Sequence, residues 1–543
     1  MQGKAGKERA LGQVFRLGGI LLSAILVFGT AGLAQGKDTL VVAQLGDAVT
    51  LDPHANNGIV EASMCSNLFD TLVVLDKKMN IQPGLAEKWE NPDKLTWVFH
   101  LRRGVKFHNG APLTATDVKY SIERILNWKP FGNMGGLASY IAPISNVRVV
   151  DDYTVRIETK QPYGAMLRSL RTAYIMNKSY TEKIEKEKGI EAVALNPMGT
   201  GAFKLVEWVR GDRLTLARND SWWGGKVSIP KLVFRQISND ATRVAALLSG
   251  EVDIATELPV RDVKRIQENP STKVVVLDGM RTVNFKFDTG RDKTPGISTS
   301  PPNPLKDRRV RMAIYQAIDE DAIVKVVMNG YARPANQFFS DSHFGYNPTI
   351  QRLPYDPEKA KKLLAEAGYP QGFPLRVDST NNRYVNDEQI CMTVAQMLNK
   401  VGIKATCNAR PKQVAQAEWY NPKIGASMFI FSFVTPTADA GGNFEQNFHT
   451  PDAKRGYGTY NEYEGGKAHY SNRAFDLLVE AASTTNNEEE RLEYLQAAAL
   501  VGMNDIPIVP LHYQNDIYGM SKKVQWNPRL DYFLTLWDAT LTE

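Results

Sequence analysis

Cysteine and histidine are scarce in this sequence, with three cysteines and seven histidines among 543 residues. No two cysteines have Cys-x-x-Cys spacing and no histidines have metal-site spacing, so neither a thiol redox centre nor a zinc site is indicated. The motifs G-x-S-x-G, H-E-x-x-H, G-x-x-x-x-G-K-S/T and G-x-G-x-x-G are absent as well. Their absence removes the simplest sequence arguments for a hydrolase, a zinc protease, a P-loop NTPase or a dinucleotide-dependent enzyme. We expect no cofactor and no metal, although an enzyme with widely separated catalytic residues stays open.

Clusters of basic residues with interleaved aromatics are also missing. The formal net charge is +6, and the first 34 residues supply +3 of it through Lys4, Lys7, Arg9 and Arg16 against Glu8. The rest of the chain therefore carries only +3. Nucleic acid is not an expected partner.

The N-terminus is typical of a secretory signal peptide. Its basic residues precede the mostly apolar stretch Leu17–Phe28, and residues 32–34 offer small side chains at the cleavage positions. We predict a cleaved signal peptide over residues 1–34, and no cysteine lies nearby to support a lipoprotein. An uncleaved membrane anchor is the alternative, because the charge-free residues 17–36 are about long enough to span a bilayer.

Three cysteines allow at most one internal pair. Cys391 lies early in a predicted helix, and Cys407 lies in the strand expected to follow it. A helix packed on its own strand could bring the two thiols together, so a Cys391–Cys407 disulfide and two free thiols are both open.

Helix and strand patterns alternate along the chain, which predicts an α/β fold. Thr39–Leu45 is a β-rich run, and Phe203–Val209 with Leu214–Ala217 predicts a hairpin around a short turn. Asp356 followed by proline is typical of a helix start, and Gly368 of the end of that helix.

Four segments in a fixed order are similar to one protein family. The stretch Asn67–Leu126 contains LFD-x-L, P-x-LAE-x-W and GVKFH-x-G-x-PLTA-x-DV, and further matches follow at Asn196–Trp223, Leu305–Asp319 and Tyr355–Pro370. Together they resemble the bacterial extracellular solute-binding proteins of family 5, the peptide-type binding proteins of ABC importers. The resemblance covers most of the chain after residue 38.

This resemblance implies a two-lobed periplasmic binding protein of type II, with an extra subdomain and a hinge between the lobes. The first lobe would consist of residues 35–81, 196–285 and 506–543. The inserted subdomain would occupy residues 82–195, and the second lobe residues 286–505.

The resemblance also implies a function without catalysis. A monomer in the periplasm would capture a peptide or peptide-like solute between its lobes and deliver it to ABC permease subunits in the inner membrane. Within the family, an opine, a glutathione-like compound or a nickel or other metal chelate is the alternative solute. An exported hydrolase and a sensory module docked on a membrane receptor are the alternatives from other classes.

Two candidate segments for the ligand cleft lie in the first half of the chain. Asp47, Val49 and Thr50 follow the first strand, in a loop that contacts the bound peptide in the family; an ordinary turn is the alternative. Arg281 lies near the expected crossing between the lobes. It is expected either to bind ligand or to lock the hinge through an ion pair.

A third candidate segment follows the predicted strand Leu375–Asp378. Asn382, Arg383 and Tyr384 lie in a loop that leaves the carboxyl end of this strand, a common ligand position in α/β lobes. Arg383 is suited to bind a carboxylate bidentately and Tyr384 to stack on an apolar group. A solvent-exposed surface arginine is the alternative.

The fourth candidate segment contains Ser432, Phe433, Thr435, Thr437 and Asp439. In the family this region carries a tryptophan and an aspartate that pairs with the α-amino group of the ligand. Here Phe433 is near the tryptophan position and Thr437 near the aspartate position. Asp439 could replace that aspartate only if the loop is reshaped. A peptide N-terminus is therefore a less secure ligand, since a buried ammonium needs a partner.

Overall fold

Three large β-sheets and the helices around them form the structure, a computed structural model. It describes residues 38–56, 58–128, 137–297, 303–421, 423–463 and 467–542. The predicted signal peptide, residues 1–34, lies outside the described residues. Within the ranges given above, no helix is both long and apolar enough to cross a membrane.

The first sheet has seven strands and contains the predicted N-terminal strand, observed as Thr39–Gln44. In spatial order the strands are Thr272–Leu277, Asp516–Ser521, Ile254–Ala255, Thr39–Gln44, Lys231–Gln236, Arg213–Arg218 and Phe203–Val209. The last two strands form the predicted hairpin, and Gly211 in its turn has φ 75°, a left-handed conformation that suits glycine. This part of the fold was therefore readable from local sequence.

The second sheet has six strands, of which Thr282–Phe287 is buried along its whole length. In spatial order they are Ala332–Pro334, Ile508–Gln514, Thr282–Phe287, Met428–Phe433, Pro374–Thr380 and Lys404–Arg410. An aromatic and aliphatic core packs against this sheet and includes Phe338, Phe433 and Phe444.

The third sheet has four antiparallel strands and lies within the predicted inserted subdomain. Its strands are Ala86–Asp93, Thr96–Leu101, Thr154–Thr159 and Ile144–Asp151. Two-stranded sheets are formed by Val73–Leu75 with Ile81–Pro83, Glu462–Tyr463 with Lys467–Ala468, and Val524–Gln525 with Thr540–Leu541. The four-stranded sheet has its own hydrophobic core.

Several helices begin at a residue whose side chain caps the first turn, as at Asn177, Asn239, Asp307, Asp356 and Asn487. The Asp356 side chain accepts a hydrogen bond from the Lys359 amide at 2.9 Å, and Gly368 has φ 90°, which confirms the predicted helix limits. The α-helices are Ile59–Leu68, Ala115–Leu126, Leu137–Ile141, Met166–Leu170, Lys178–Lys188, Asp240–Leu248, Val263–Glu268, Arg308–Ala317, Glu320–Ala322, Pro357–Glu366, Asp387–Lys400, Lys412–Trp419, Ala440–Asn447, Arg473–Ser483 and Glu488–Asp505. The 3₁₀ turns are Ile190–Leu195, Val260–Asp262 and Pro304–Lys306, and Ile323–Val327 is a π-helical turn.

A disulfide joins Cys391 to Cys407, with 5.5 Å between their Cα atoms. It links helix Asp387–Lys400 to strand Lys404–Arg410, the helix–strand pair in which the sequence placed the two thiols. Of the two alternatives left open by the sequence, the disulfide is the one observed. Cys65 is buried and unbridged.

Two neighbouring connections join the seven-stranded sheet to the six-stranded sheet. Residues 278–281 lead from the first sheet to the second, and Asn515 leads back. The Gln514 amide donates to the Arg281 carbonyl at 2.9 Å, so the connections are tied side by side. Such a paired crossing is the geometry of a hinge. Residues 282–285 and 508–514 pair within the second sheet, although the predicted limits assign them to the first lobe; the lobe limits themselves stay a prediction.

Candidate ligand-binding cleft

A cavity of about 620 Å³ lies between the seven-stranded and six-stranded sheets, beside the paired crossing. Small-molecule sites usually occupy about 300–1,000 Å³, so a solute of tripeptide size fits. The cavity is lined by Gln44, Glu257, Asp516 and Tyr532 on the side of the first sheet, and by Arg281, Tyr331, Asn382, Arg383 and Tyr384 on the side of the second. Gln44 and the loop after Thr380 both stand at carboxyl ends of strands, where α/β folds place ligands.

The predicted loop with Asn382, Arg383 and Tyr384 lies on the cavity wall. Asp387 shapes it, because its carboxylate accepts hydrogen bonds from the Arg383 amide at 3.0 Å and the Tyr384 amide at 3.2 Å. The Asn382 side chain accepts from the Lys412 amide at 2.8 Å. The loop is therefore held in place by its own hydrogen bonds.

The Arg383 guanidinium lies 4.8 Å from the centre of the Tyr384 ring and 5.8 Å from that of Phe431. Its Nη1 atom has no hydrogen-bond partner among the described residues. Aromatic faces orient an arginine without using up its donors. Arg383 is thus positioned with a donor free for an incoming carboxylate.

Arg281 is another cation on the cavity wall. Its Nη1 donates to the Ser432 hydroxyl at 3.0 Å, and its guanidinium lies 5.2 Å from the centre of the Tyr532 ring. Burial lowers the pKa of Arg281, but Tyr532, Tyr384 and Asp516 outweigh burial, so the group stays charged. The predicted residues Arg281 and Ser432 therefore contact each other directly.

The cations on this side of the cavity, Arg281, Arg383 and Lys412, are not held in close ion pairs with residues that the structure describes. Burial and repulsion from Arg383 and Arg281 together lower the pKa of Lys412. Within the described part of the chain, none of these three cations forms an ion pair closer than 4.0 Å with a carboxylate. An anionic group of a ligand would supply the missing counter-charge.

The loop after the first strand does not line the cavity. The Asp47 carboxylate accepts hydrogen bonds from Trp208 Nε1 at 3.1 Å and from the Gly211 amide at 2.9 Å, so it fastens the hairpin. Val49 is 64% exposed, and its amide donates to Glu61. Thr50 accepts from the Asp52 amide within the turn. The structure brings none of the three predicted residues to the cavity wall.

Three residues of the fourth segment are buried away from the cavity. Phe433 lies in the core of the six-stranded sheet, 5.6 Å from Phe339 and 5.4 Å from Phe448 between ring centres. The hydroxyls of Thr435 and Thr437 hydrogen-bond to each other at 2.5 Å. These contacts explain the residues as packing and turn-forming side chains.

Asp439 already forms an ion pair with an arginine of the protein itself, Arg491. Its carboxylate accepts two hydrogen bonds from Arg491, at 2.6 and 2.8 Å, and one from the Gly441 amide at 2.8 Å. Burial raises the pKa of Asp439, but the Arg491 and Arg168 guanidiniums hold the pKa below its usual range. The carboxylate is thus charged, buried and paired, and it does not line the 620 Å³ cavity.

Sequence reasoning missed Asp516, Glu257 and Tyr532 on the cavity wall. Asp516 begins a strand that pairs with Thr272–Leu277, a contact between residues distant in sequence. No local motif marks it. Its sequence signal is a carboxylate two residues after a mostly apolar strand, which many surface turns share.

A second cavity, near Glu61, Arg171 and Pro436, has only about 20 Å³, room for roughly one water molecule. It is too small to hold a solute in this conformation. In the residues that the structure describes, no group of three or more His, Cys, Asp or Glu side chains is arranged to hold a metal ion.

Comparisons with known proteins agree with this geometry. The family model of the bacterial extracellular solute-binding proteins, family 5, matches residues 80–455. The glutathione-binding protein GsiB of Salmonella choleraesuis is 29% identical over 499 residues, covering 90% of this chain and 92% of that protein. The structure resembles the periplasmic binding protein DppA from Helicobacter pylori in complex with the peptide STSA, with TM-score 0.76, 25% identity, and coverage of 93% and 98%. It also resembles AgaA from A. tumefaciens R10 in complex with agropinic acid, with TM-score 0.74, 25% identity, and coverage of 93% and 99%.

The sheets, the crossing and the cleft define a two-lobed solute-binding protein, which confirms the expected fold class. More specifically, the chain belongs to the bacterial extracellular solute-binding proteins, family 5, the binding components of ABC importers. Members of this family bind peptide or peptide-like solutes and work with ABC permeases.

Proposed function

We propose that this protein captures a compact peptide-like solute with a free carboxylate and presents it unchanged to its permease. Glutathione and short peptides belong to this class of solute. The observation that carries the proposal is the 620 Å³ cavity with Arg281 and Arg383 on its wall and no carboxylate of the described residues paired with them.

In this proposal Arg383 binds the carboxylate. Its planar guanidinium presents parallel donors that match the two oxygens of a carboxylate, and its stacking on Tyr384 fixes the plane of the group. Arg281, which is held in place by its hydrogen bond to Ser432, adds electrostatic attraction for the carboxylate at longer range. The relatives named above support this class, because glutathione and peptides carry carboxylates and agropinic acid is named as an acid.

The first experiment is a thermal-shift and calorimetry screen of the purified protein against glutathione, trialanine, agropinic acid and a nickel–histidine chelate. A solute at 100 times its dissociation constant stabilises the folded state by about 2.7 kcal/mol. We expect glutathione or trialanine to raise the melting temperature. A shift with the nickel chelate alone would overturn the proposal.

Replacement of Arg383 tests the binding role directly. Arg383→Ala should weaken solute binding about 10- to 100-fold, since charge-assisted hydrogen bonds contribute about 1.5–3 kcal/mol. Arg383→Lys should recover only part of the loss, because an ammonium cannot bind a carboxylate in the bidentate manner. Arg473→Ala, on an exposed arginine that pairs with Glu480, is the matched control and should bind normally.

A second candidate is a non-peptide acid of the opine type. The similarity to AgaA over 93% of this chain favours it. Agropinic acid should then bind while glutathione and trialanine do not, and Arg383→Ala should still weaken binding.

We also propose export with cleavage after residue 34, a periplasmic location and a monomeric state. The mass of the mature protein and its elution on size exclusion check these points. A mass that includes residues 1–34 would favour the membrane-anchor alternative.

A further inference from the structure

Asp516 stands at the place where the chain crosses from the second sheet back to the first. It is the first residue of strand Asp516–Ser521 and lies opposite Leu277 across the paired crossing. Its side chain faces the 620 Å³ cavity. The residue is therefore a carboxylate at the base of the cleft, on the hinge itself.

The carboxylate of Asp516 is buried without an ion pair. The residue is 5% exposed, and among the described residues its hydrogen-bonding neighbour is the neutral Tyr532 hydroxyl, at a geometry looser than an ordinary hydrogen bond. Buried carboxylates in native proteins are usually paired with a cation or with strong donors, so this one, facing a cavity, indicates a missing partner. A positively charged ligand group would be that partner.

Gly279 leaves the space that this carboxylate occupies. A Cβ atom on Gly279 would lie 2.8 Å from Asp516 Oδ1 and 2.3 Å from the Gln514 carbonyl oxygen. The glycine on one connection thus makes room for the carboxylate on the other. The pocket at the crossing depends on this small residue.

The other candidate acid is already engaged. Asp439 is held by Arg491 through two hydrogen bonds and cannot accept a ligand ammonium without breaking a buried ion pair. The position near Thr437 carries no charge. Among the described cavity-lining residues, Asp516 is an acid on the side of the first sheet that no arginine pairs within 4.0 Å, unlike Asp240, which pairs with Arg243 at 2.9 Å.

We propose that Asp516 binds the ammonium group of the solute, so that the ligand lies with its amino end at the hinge and its carboxylate at Arg383. This inference rests on the proposed function, since it assumes a solute that carries both charges. It names the ligand class more narrowly: a peptide-like zwitterion with a free amino group. The ammonium site is then on the crossing strand rather than on the loop of residues 435–439.

The surroundings of Asp516 give the site a pH signature. The titratable groups that face it are Arg281, Tyr532, Tyr518, Glu257 and Asp531. Burial raises the pKa of Asp516 well above its usual range, Glu257 and Asp531 act in the same direction, and Tyr532 and Arg281 oppose them. An ammonium paired with Asp516 would favour the ionised carboxylate and so lower this pKa. Binding should release a proton and tighten as the pH rises.

The test compares glutathione and trialanine with their N-acetyl derivatives by titration calorimetry in two buffers of different ionisation enthalpy. On the wild-type protein we expect the free-amino forms to bind about 10- to 100-fold more tightly and to release a proton. Asp516→Asn should remove most of this preference and the proton release, while the affinity for the acetylated forms stays unchanged. Asp516→Glu, which keeps the charge, should restore part of the preference.

The outcomes separate the inference from the function on which it rests. If Asp516→Asn weakens both forms equally, the residue is a structural part of the hinge and the inference is wrong. If the wild type binds acetylated and free forms alike, the inference is wrong while the proposed function stands. If the wild type binds neither form, the inference and the proposed function are both wrong. The acetylation comparison needs no variant, so a poorly folding Asp516→Asn does not prevent the test.

Discussion

His512 lies within strand Ile508–Gln514, fully buried, with neither ring nitrogen hydrogen-bonded to a described residue. Burial lowers the pKa of His512 to about 3 from an ordinary 6.5. The folded state therefore requires the neutral ring, whereas the unfolded chain binds a proton below pH 6.5. Above pH 6.5 the histidine is neutral in both states and does not reduce the free energy of unfolding. As the pH falls from 6.5 toward 3, protonation of the unfolded chain lowers that free energy progressively.

We predict a corresponding loss of stability in acid. Replacing the ring by a side chain that does not titrate, His512→Leu, should reduce the slope of unfolding free energy against pH by up to about 1.4 kcal/mol per pH unit between pH 6 and 4. Urea unfolding across this range measures it. The control is His100→Gln, on a partly exposed residue beside Glu90. Equal slopes for His512→Leu and the wild type would contradict the prediction.

The sequence placed some residues of the cleft correctly on its wall and gave no sign of the contacts made by others. Arg383 and Tyr384 were predicted because a loop at the carboxyl end of a strand faces the ligand side of an α/β sheet whatever the rest of the fold does. Asp439 was expected to replace the family's aspartate only if its loop were reshaped. Its bidentate partner, Arg491, is 52 residues away in sequence, and no local pattern predicts that ion pair.

At the scale of elements, the disulfide ties a helix to the strand it precedes. The bridged residues are 16 apart. In the chain-entropy model a loop of this length stabilises the folded state by about 3 kcal/mol.

We predict that the double variant Cys391→Ser/Cys407→Ser loses about that much stability, measured by chemical denaturation under oxidising conditions. The wild type with reductant should approach the same value. Cys65→Ser, at the buried unbridged cysteine, should respond to neither oxidant nor reductant beyond its own packing change. A double variant as stable as the wild type would contradict the prediction.

The start of helix Ala440–Asn447 gives another prediction. Asp439 caps this helix through the Gly441 amide and neutralises buried Arg491. Asp439→Asn should therefore cost about 3–5 kcal/mol of stability, because it leaves a buried cation without its partner.

Solute affinity should stay near that of the wild type in every Asp439→Asn molecule that folds, and calorimetry checks this. Glu182→Gln, at an exposed pair with Lys178, is the control, since exposed pairs contribute about 0–1 kcal/mol. A stable Asp439→Asn that loses binding would restore the ammonium role that the family resemblance suggested for this loop.

Elements with local signals were predicted correctly from sequence. The helix from Asp356 and the hairpin around Gly211 depend on caps and turns that lie within a few residues. The order of strands in the two large sheets had no such signal. Strand Ile508–Gln514 joins the second sheet by pairing with Thr282–Phe287, more than 200 residues earlier.

At the scale of the whole molecule, the predicted inserted subdomain contacts the connection between helices Arg473–Ser483 and Glu488–Asp505. Asn486 donates to Asn91 Oδ1 at 3.1 Å and to the Lys94 carbonyl at 2.9 Å, and it accepts from the Tyr163 amide at 2.8 Å. On the predicted lobe limits, these bonds join the inserted subdomain of the first lobe to the second lobe. They would then stabilise a closed arrangement in addition to any ligand.

We predict that Asn486→Ala shifts the unliganded protein toward a more open form. Its radius of gyration in X-ray scattering should rise, and solute affinity should fall about 5- to 30-fold, since about 1–2 kcal/mol of closed-state stabilisation is lost. Asn127→Ala, whose side chain donates to the Glu123 carbonyl at its own helix end, is the control. An unchanged radius together with unchanged affinity would show that these bonds do not influence closure.

The position of strand Asp516–Ser521 has a consequence for biogenesis. It lies between Thr272–Leu277 and Ile254–Ala255, both made about 240 residues earlier during synthesis. The first sheet cannot close until this late segment arrives, so the nascent chain keeps an unpaired gap in its middle. Under the proposed export, the incomplete sheet would keep the chain unfolded enough to pass through a translocation channel, and the sheet would be completed after the passage.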